Sequence, residues 1–126
     1  MPISAIHASL SNTALLYFLA ISLWGFWRFF RRQGVDSAYW GTLVIAELLI
    51  LAQIALGIYM WTLGLRPARP TIHILYGVVL AMMIPGAYVY TSGRDARRDI
   101  LVYGTATIIA VGLITRSAFT GAVPLP

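Results

Sequence analysis

The chain has 126 residues, of which 60% are hydrophobic and 10% charged, and its mean hydropathy is +0.81. Soluble domains carry ~25% charged residues, so this composition excludes a water-soluble globule. The formal charge of +5 comes from nine arginines and four acids. The arginines sit at the ends of apolar runs, which is the pattern of membrane topology signals rather than of nucleic-acid binding. With no cysteine, disulfides, thiolate metal sites, iron–sulfur clusters and covalently attached c-type haem are excluded as well.

Four apolar runs, residues 8–30, 39–65, 71–90 and 100–115, are each close to the ~20 residues a helix needs to cross a bilayer. Helices satisfy their own backbone groups in lipid. The expectation is therefore an all-α membrane protein, one transmembrane domain over residues 1–126 built as an antiparallel four-helix bundle. Nearly the whole chain lies in lipid, with no room for a soluble catalytic domain. The first run has no basic segment before it, and its cluster Arg28, Arg31 and Arg32 follows it. That order reads as a retained span and not a cleaved signal.

The turns are punctuated. Arg66-Pro67-Ala68-Arg69-Pro70 cannot continue a helix, since each proline removes a donor and restricts the residue before it. Between the third and fourth spans, Ser92-Gly93-Arg94-Asp95 offers Gly93 for a left-handed helix end. Within the third span, Pro85-Gly86 predicts a kink.

Arginine placement gives orientation. Arg28, Arg31, Arg32, Arg94, Arg97 and Arg98 fall at one end of the bundle, Arg66, Arg69 and Arg116 at the other. By the positive-inside rule the six-arginine end is cytoplasmic and both termini face outward, in the plasma or inner membrane of a bacterium or archaeon. Trp24, Trp27, Trp40 and Trp61 fall near the span ends, where interfacial aromatic belts lie.

The two halves echo one another. Ile6-His7 and Ile72-His73 are each followed by an apolar run, an arginine pair (Arg31-Arg32, Arg97-Arg98), an aspartate (Asp36, Asp99) and an aromatic-glycine pair (Trp40-Gly41, Tyr103-Gly104). This describes two repeated helical hairpins. His7 lies 21 residues before Arg28 and His73 lies 21 residues before Arg94. Each is then ~31 Å from the six-arginine end, so the imidazoles share one level and a pseudo-twofold axis would turn them toward each other.

Two facing imidazoles in a helix bundle match the needs of a six-coordinate haem iron. Gly77 and Ala81 follow His73 at i+4 and i+8, and Ser11 follows His7 at i+4, leaving little bulk beside either ring. Arg66, Arg69 and Arg116 are the cations on that side and suit carboxylate recognition, so they are the expected partners of haem propionates. Small residues at this spacing also serve ordinary helix packing, and interfacial histidines can simply be solvated.

Glu47 lies inside the second span, where an acid is costly and a functional candidate by default. It suits a proton relay, a quinone contact, an intersubunit arginine pair or a protonated carboxyl bonded to a neighbouring hydroxyl. Gln53, Gly57 and Gly64 trace a narrow stripe on which a helix or ring could pack, and Asn12, Thr105 and Thr107 are expected to bridge helices. No phosphate loop, hydrolase triad, HExxH or carboxylate pair is present.

The segment Gln53-Ile54-Ala55-Leu56-Gly57, then Thr62-Leu63-Gly64-Leu65, a proline-containing turn and His73, resembles the haem A synthase family. Members of that family are similar to two fused four-helix bundles, each with a histidine pair; the resemblance covers about 25 residues well and the rest only in topology, and this chain has four spans and two histidines where the family has eight and four. The resemblance implies a b-type haem ligated by His73, with His7 as its partner, and electron transfer or haem modification as the activity. An oxidoreductase role is left open. The same small, lipid-buried chain also fits a haem-free accessory subunit of a respiratory or photosynthetic complex, and either a homodimer or a larger membrane assembly is expected.

Overall fold

The computed structural model describes residues 2–122, which form four α-helices: α1 (Ile3–Phe30), α2 (Ser37–Thr62), α3 (Pro70–Thr91) and α4 (Arg97–Ala122). Each is long and apolar enough to cross a membrane, and the protein is a multi-pass membrane protein with a four-helix bundle fold.

Local chemistry sets the helix ends. The Asp36 carboxylate accepts the Tyr39 amide at 2.8 Å and so caps α2, while also pairing with Arg28 at 3.3 Å. At the other end of α2, Gly64 (φ +82) lets the amides of Gly64 and Leu65 return to the carbonyls of Trp61 and Met60 at 3.1 and 3.0 Å. This double closure is a Schellman motif. Pro70 opens α3 at a position where its missing N–H costs nothing. At the end of α3 the left-handed conformation begins one residue before the expected glycine, at Ser92 (φ 53), and continues through Gly93 (φ 70). α3 continues helical through Pro85 and Gly86.

Each helix buries one face at coiled-coil spacing. The buried residues are Ala14, Phe18, Ile21, Ser22 and Gly25 on α1, Tyr39, Leu43, Ala46 and Ile50 on α2, and Leu80, Ile84, Ala87 and Thr91 on α3. On α4 they include Ile100, Tyr103, Ala106, Ala110 and Ile114. Neighbours run in ring order, with α1 and α3 on one diagonal and α2 and α4 on the other. The α1–α4 contact is the most intimate and the α2–α3 contact the slightest. Glycines explain the first: a Cβ at Gly25 would lie 3.3 Å from the Gly104 Cα. Gly41, which matches Gly104 in the repeat, would meet nothing within 4 Å.

Two repeat-related pairs nevertheless meet across the bundle. Trp40 and Tyr103 lie 5.3 Å apart, and His7 and His73 lie 6.3 Å apart. The Trp40 ring also packs on Tyr88 and the Trp24 ring on Tyr39, so these two tryptophans seal the core. Trp27 and Trp61 are the exposed pair, 59% and 40% accessible.

In lipid, helix association depends on close packing and interhelical hydrogen bonds. Ser22 donates to the Gly104 carbonyl, Tyr39 to that of Ile21, Tyr17 to that of Thr42, and Thr91 meets Tyr103 at 3.2 Å. The expected bridging residues behave differently. Thr107 bonds back to the Tyr103 and Gly104 carbonyls of its own helix, and Asn12 and Thr105 are exposed. A threonine hydroxyl reaches its own i−4 carbonyl without any neighbour, which is why the residue type alone misleads.

The core is densest in the middle and at the six-arginine end. Beyond Ala14, Ile50, Leu80 and Ile114, toward the other end, Thr120 alone is buried among the described residues. That looser end holds the two histidines.

Candidate functional site

His7 continues the buried face of α1, lying seven and eleven residues before Ala14 and Phe18, and His73 stands in the same relation to Leu80 and Ile84 on α3. Diagonal helices thus aim both imidazoles into the bundle. Their ring centroids are 6.3 Å apart with planes inclined at 61°. The common level expected from arginine spacing is realised.

His73 is held tightly. Its Nδ1 lies 2.8 Å from the Ser117 carbonyl oxygen, with the Ser117 and Thr120 hydroxyls at 3.5 and 3.4 Å. A carbonyl oxygen only accepts, so Nδ1–H is the donor, and in the neutral ring Nε2 carries the free lone pair. Metal-ligating histidines are oriented by this kind of bond from the second ring nitrogen. The loop preceding α3 is tied to the same helix end: the amides of Ala68 and Arg69 donate to the carbonyls of Gly121 and Thr120 at 3.1 and 2.9 Å. The end of the described part of α4 thus anchors both the turn and the ring that follows it.

His7 is positioned from α2. Gln53 Nε2 donates to the His7 carbonyl at 3.0 Å, and a Cβ at Gly57 would lie 3.7 Å from His7 Cε1. The stripe on α2 therefore receives the first turns of α1, and it ends at Gly57 because Gly64 lies past the helix in the capping turn. Among the described residues, the His7 Nδ1 and Gln53 Oε1 atoms are buried without hydrogen-bond partners. Gly77 would carry a Cβ with nothing within 4 Å, so the space one turn after His73 is open.

The three arginines differ. Arg69 forms the N-cap residue of α3, one turn before His73, and its Nε is buried with no partner among the described residues. Arg66 is exposed, stacks over Trp61 at 3.9 Å and donates to that residue's carbonyl. Arg116 is exposed and lies 5.8 Å over Phe119. Glu47 is half-buried in α2, its Oε1 without a partner among the described residues, and it stands six residues, ~9 Å of helix, from Gln53 toward the six-arginine end.

Ser117, Thr120 and Gly121 escape sequence reasoning because the apolar run closes near Thr115, whereas α4 continues to Ala122. Their signal is small and hydroxyl residues at i, i+3 and i+4, level with His73.

Among the described residues no group of three or more His, Asp or Glu side chains could hold a metal ion. Two imidazoles are too few for a bare tetrahedral ion. They suffice for a metal whose other ligands arrive with it. No protein-family model matches the chain, and no characterised protein or solved structure matches it.

Proposed function

We propose that the protein is a membrane haem protein in which His7 and His73 bind one haem iron from opposite sides. The observation that carries this reading is the facing pair itself, 6.3 Å between centroids, with Nδ1 of His73 committed to the Ser117 carbonyl. Imidazoles sharing one six-coordinate metal, each with a bond of ~2 Å, have ring centres ~6 Å apart. The donor set also fits, since a porphyrin supplies four of the six nitrogens.

The chain's own residues then have defined tasks. Ser117 holds the His73 proton on Nδ1 and so presents Nε2. Gln53 seats the first turns of α1 and brings His7 to the same level. Gly121 keeps bulk away from His73 and Gly77 leaves open space one turn further on, and Arg69, its Nε buried and without a partner among the described residues, is the first candidate for a propionate, followed by Arg66 and Arg116. When bound, a b-type haem supplies one-electron redox chemistry. Held by His7 and His73 together, such a group would serve electron transfer.

The membrane of this reading is the plasma or inner membrane of a bacterium or archaeon, and the arginine distribution supports the histidine end and both termini facing outward. A homodimer or larger membrane assembly would bring the site a redox partner. Haemin titration of the purified protein tests the reading: it should saturate at one per chain with a low-spin six-coordinate spectrum, and His7→Ala and His73→Ala should each abolish that spectrum. Persistence of the spectrum in both variants would overturn it.

A further inference from the structure

On the outer surface between α3 and α4, well away from the histidines, runs an apolar groove of about 500 Å3 lined by Met82, Gly86 and Tyr90 on one side and Val102, Ala106 and Ile109 on the other. Tyr90 and Val102 also line a second hollow, whose remaining wall is Arg94, Arg98 and Asp99. The two are therefore one continuous feature, apolar along its length and cationic at its head.

Its dimensions and charge point to one kind of occupant. From Arg98 to Ile109 is eleven residues of α4, ~16 Å at helical rise, close to half of the ~30 Å hydrocarbon thickness. The groove thus spans one leaflet. At the head, Arg98 is exposed and makes no ion pair among the described residues. Arg94 is only loosely engaged, 3.7 Å from an Asp99 carboxylate that also accepts the Ala96 amide at 3.0 Å. The neighbouring arginines are used differently: Arg28 pairs with Asp36, Arg97 donates to the Phe29 carbonyl, and Arg31 lies over Trp27.

We propose that this groove binds an anionic phospholipid of the leaflet at the six-arginine end, its phosphate on Arg94 and Arg98 and one acyl chain along Gly86 and Ala106. Basic hollows between transmembrane helices recognise such headgroups. A choline headgroup places a second cation against the arginines, whereas a glycerol headgroup does not. The site is independent of the histidine pair.

Native mass spectrometry of the full-length protein, released from nanodiscs of equal palmitoyl-oleoyl phosphatidylglycerol and phosphatidylcholine, tests this. One phosphatidylglycerol should be retained in preference to phosphatidylcholine, and R94Q/R98Q should lower its retention by roughly thirtyfold. Gly86→Leu, at a position where a Cβ meets nothing within 4 Å, should fill the groove without disturbing the fold and lower retention of both lipids. Inorganic phosphate should not displace the bound lipid. Equal retention of the two lipids, an unaltered R94Q/R98Q variant, an unaltered Gly86→Leu variant, or displacement by phosphate would each overturn the proposal.

Discussion

A Cβ at Gly121 would lie 2.9 Å from Cε1 and 3.1 Å from Nδ1 of His73, so the imidazole lies directly against the backbone of α4. The ring cannot swing away without giving up its bond to the Ser117 carbonyl. Gly121→Ala should therefore destabilise the protein by about 1–3 kcal/mol through overpacking and weaken haemin binding. Gly57→Ala is the matched control: its Cβ would find His7 Cε1 at an ordinary 3.7 Å, and alanine gains up to ~1 kcal/mol in a helix interior. Thermal unfolding and haemin titration of the two variants, side by side, check the contrast.

The tight α1–α4 seam gives a second prediction. An added Cβ at Gly25 would press on the Tyr39 hydroxyl at 2.6 Å and the Gly104 backbone at 3.3 Å. Backbone cannot yield as a side-chain tip does, so Gly25→Ala should cost about 1–3 kcal/mol, while Gly112→Ala, with nothing within 4 Å, should not. Unfolding midpoints in detergent read the difference.

Thr91 and Tyr103 share a hydrogen bond of 3.2 Å in a region where both are fully buried. A double-mutant cycle of Thr91→Val and Tyr103→Phe should return a coupling of about 0.6 kcal/mol, the average for interhelical hydrogen bonds in membranes. A coupling near zero would mean that the hydroxyls do not hold α3 to α4.

Because the chain has no cysteine, single cysteines report topology cleanly. Leu65→Cys lies in the turn near the histidines and Gln33→Cys in the turn at the six-arginine end, and both positions are exposed. The orientation proposed above requires an impermeant maleimide to label Leu65→Cys in intact cells and Gln33→Cys only after permeabilisation. The reverse pattern would place the histidine pair on the cytoplasmic side.

Much of the fold was legible because few forces act on such a chain. Apolar run length gave four spans, and proline and glycine gave the turns. Arginine spacing placed His7 and His73 at one level, and the repeat aligned Trp40 with Tyr103, which do meet. The rest depended on packing that no periodicity records. Nothing in the sequence says that α4 continues beyond its apolar run so that Ser117 and Thr120 reach His73. Nor does the repeat reveal that Gly104 meets α1 closely while Gly41 faces open space. Polar residue type likewise misled at Thr107, which bonds to its own helix, while Ser22 makes the bond between helices.

The facing histidines are the centre of the account, and a reduced-minus-oxidised absorption spectrum of the full-length protein, purified from haem-sufficient cells, tests them most directly. The wild-type protein should show a Soret band with the sharp α-band of a six-coordinate low-spin b-type haem, lost in His73→Ala while the variant stays folded. A folded, homogeneous wild-type preparation with no Soret band would contradict it.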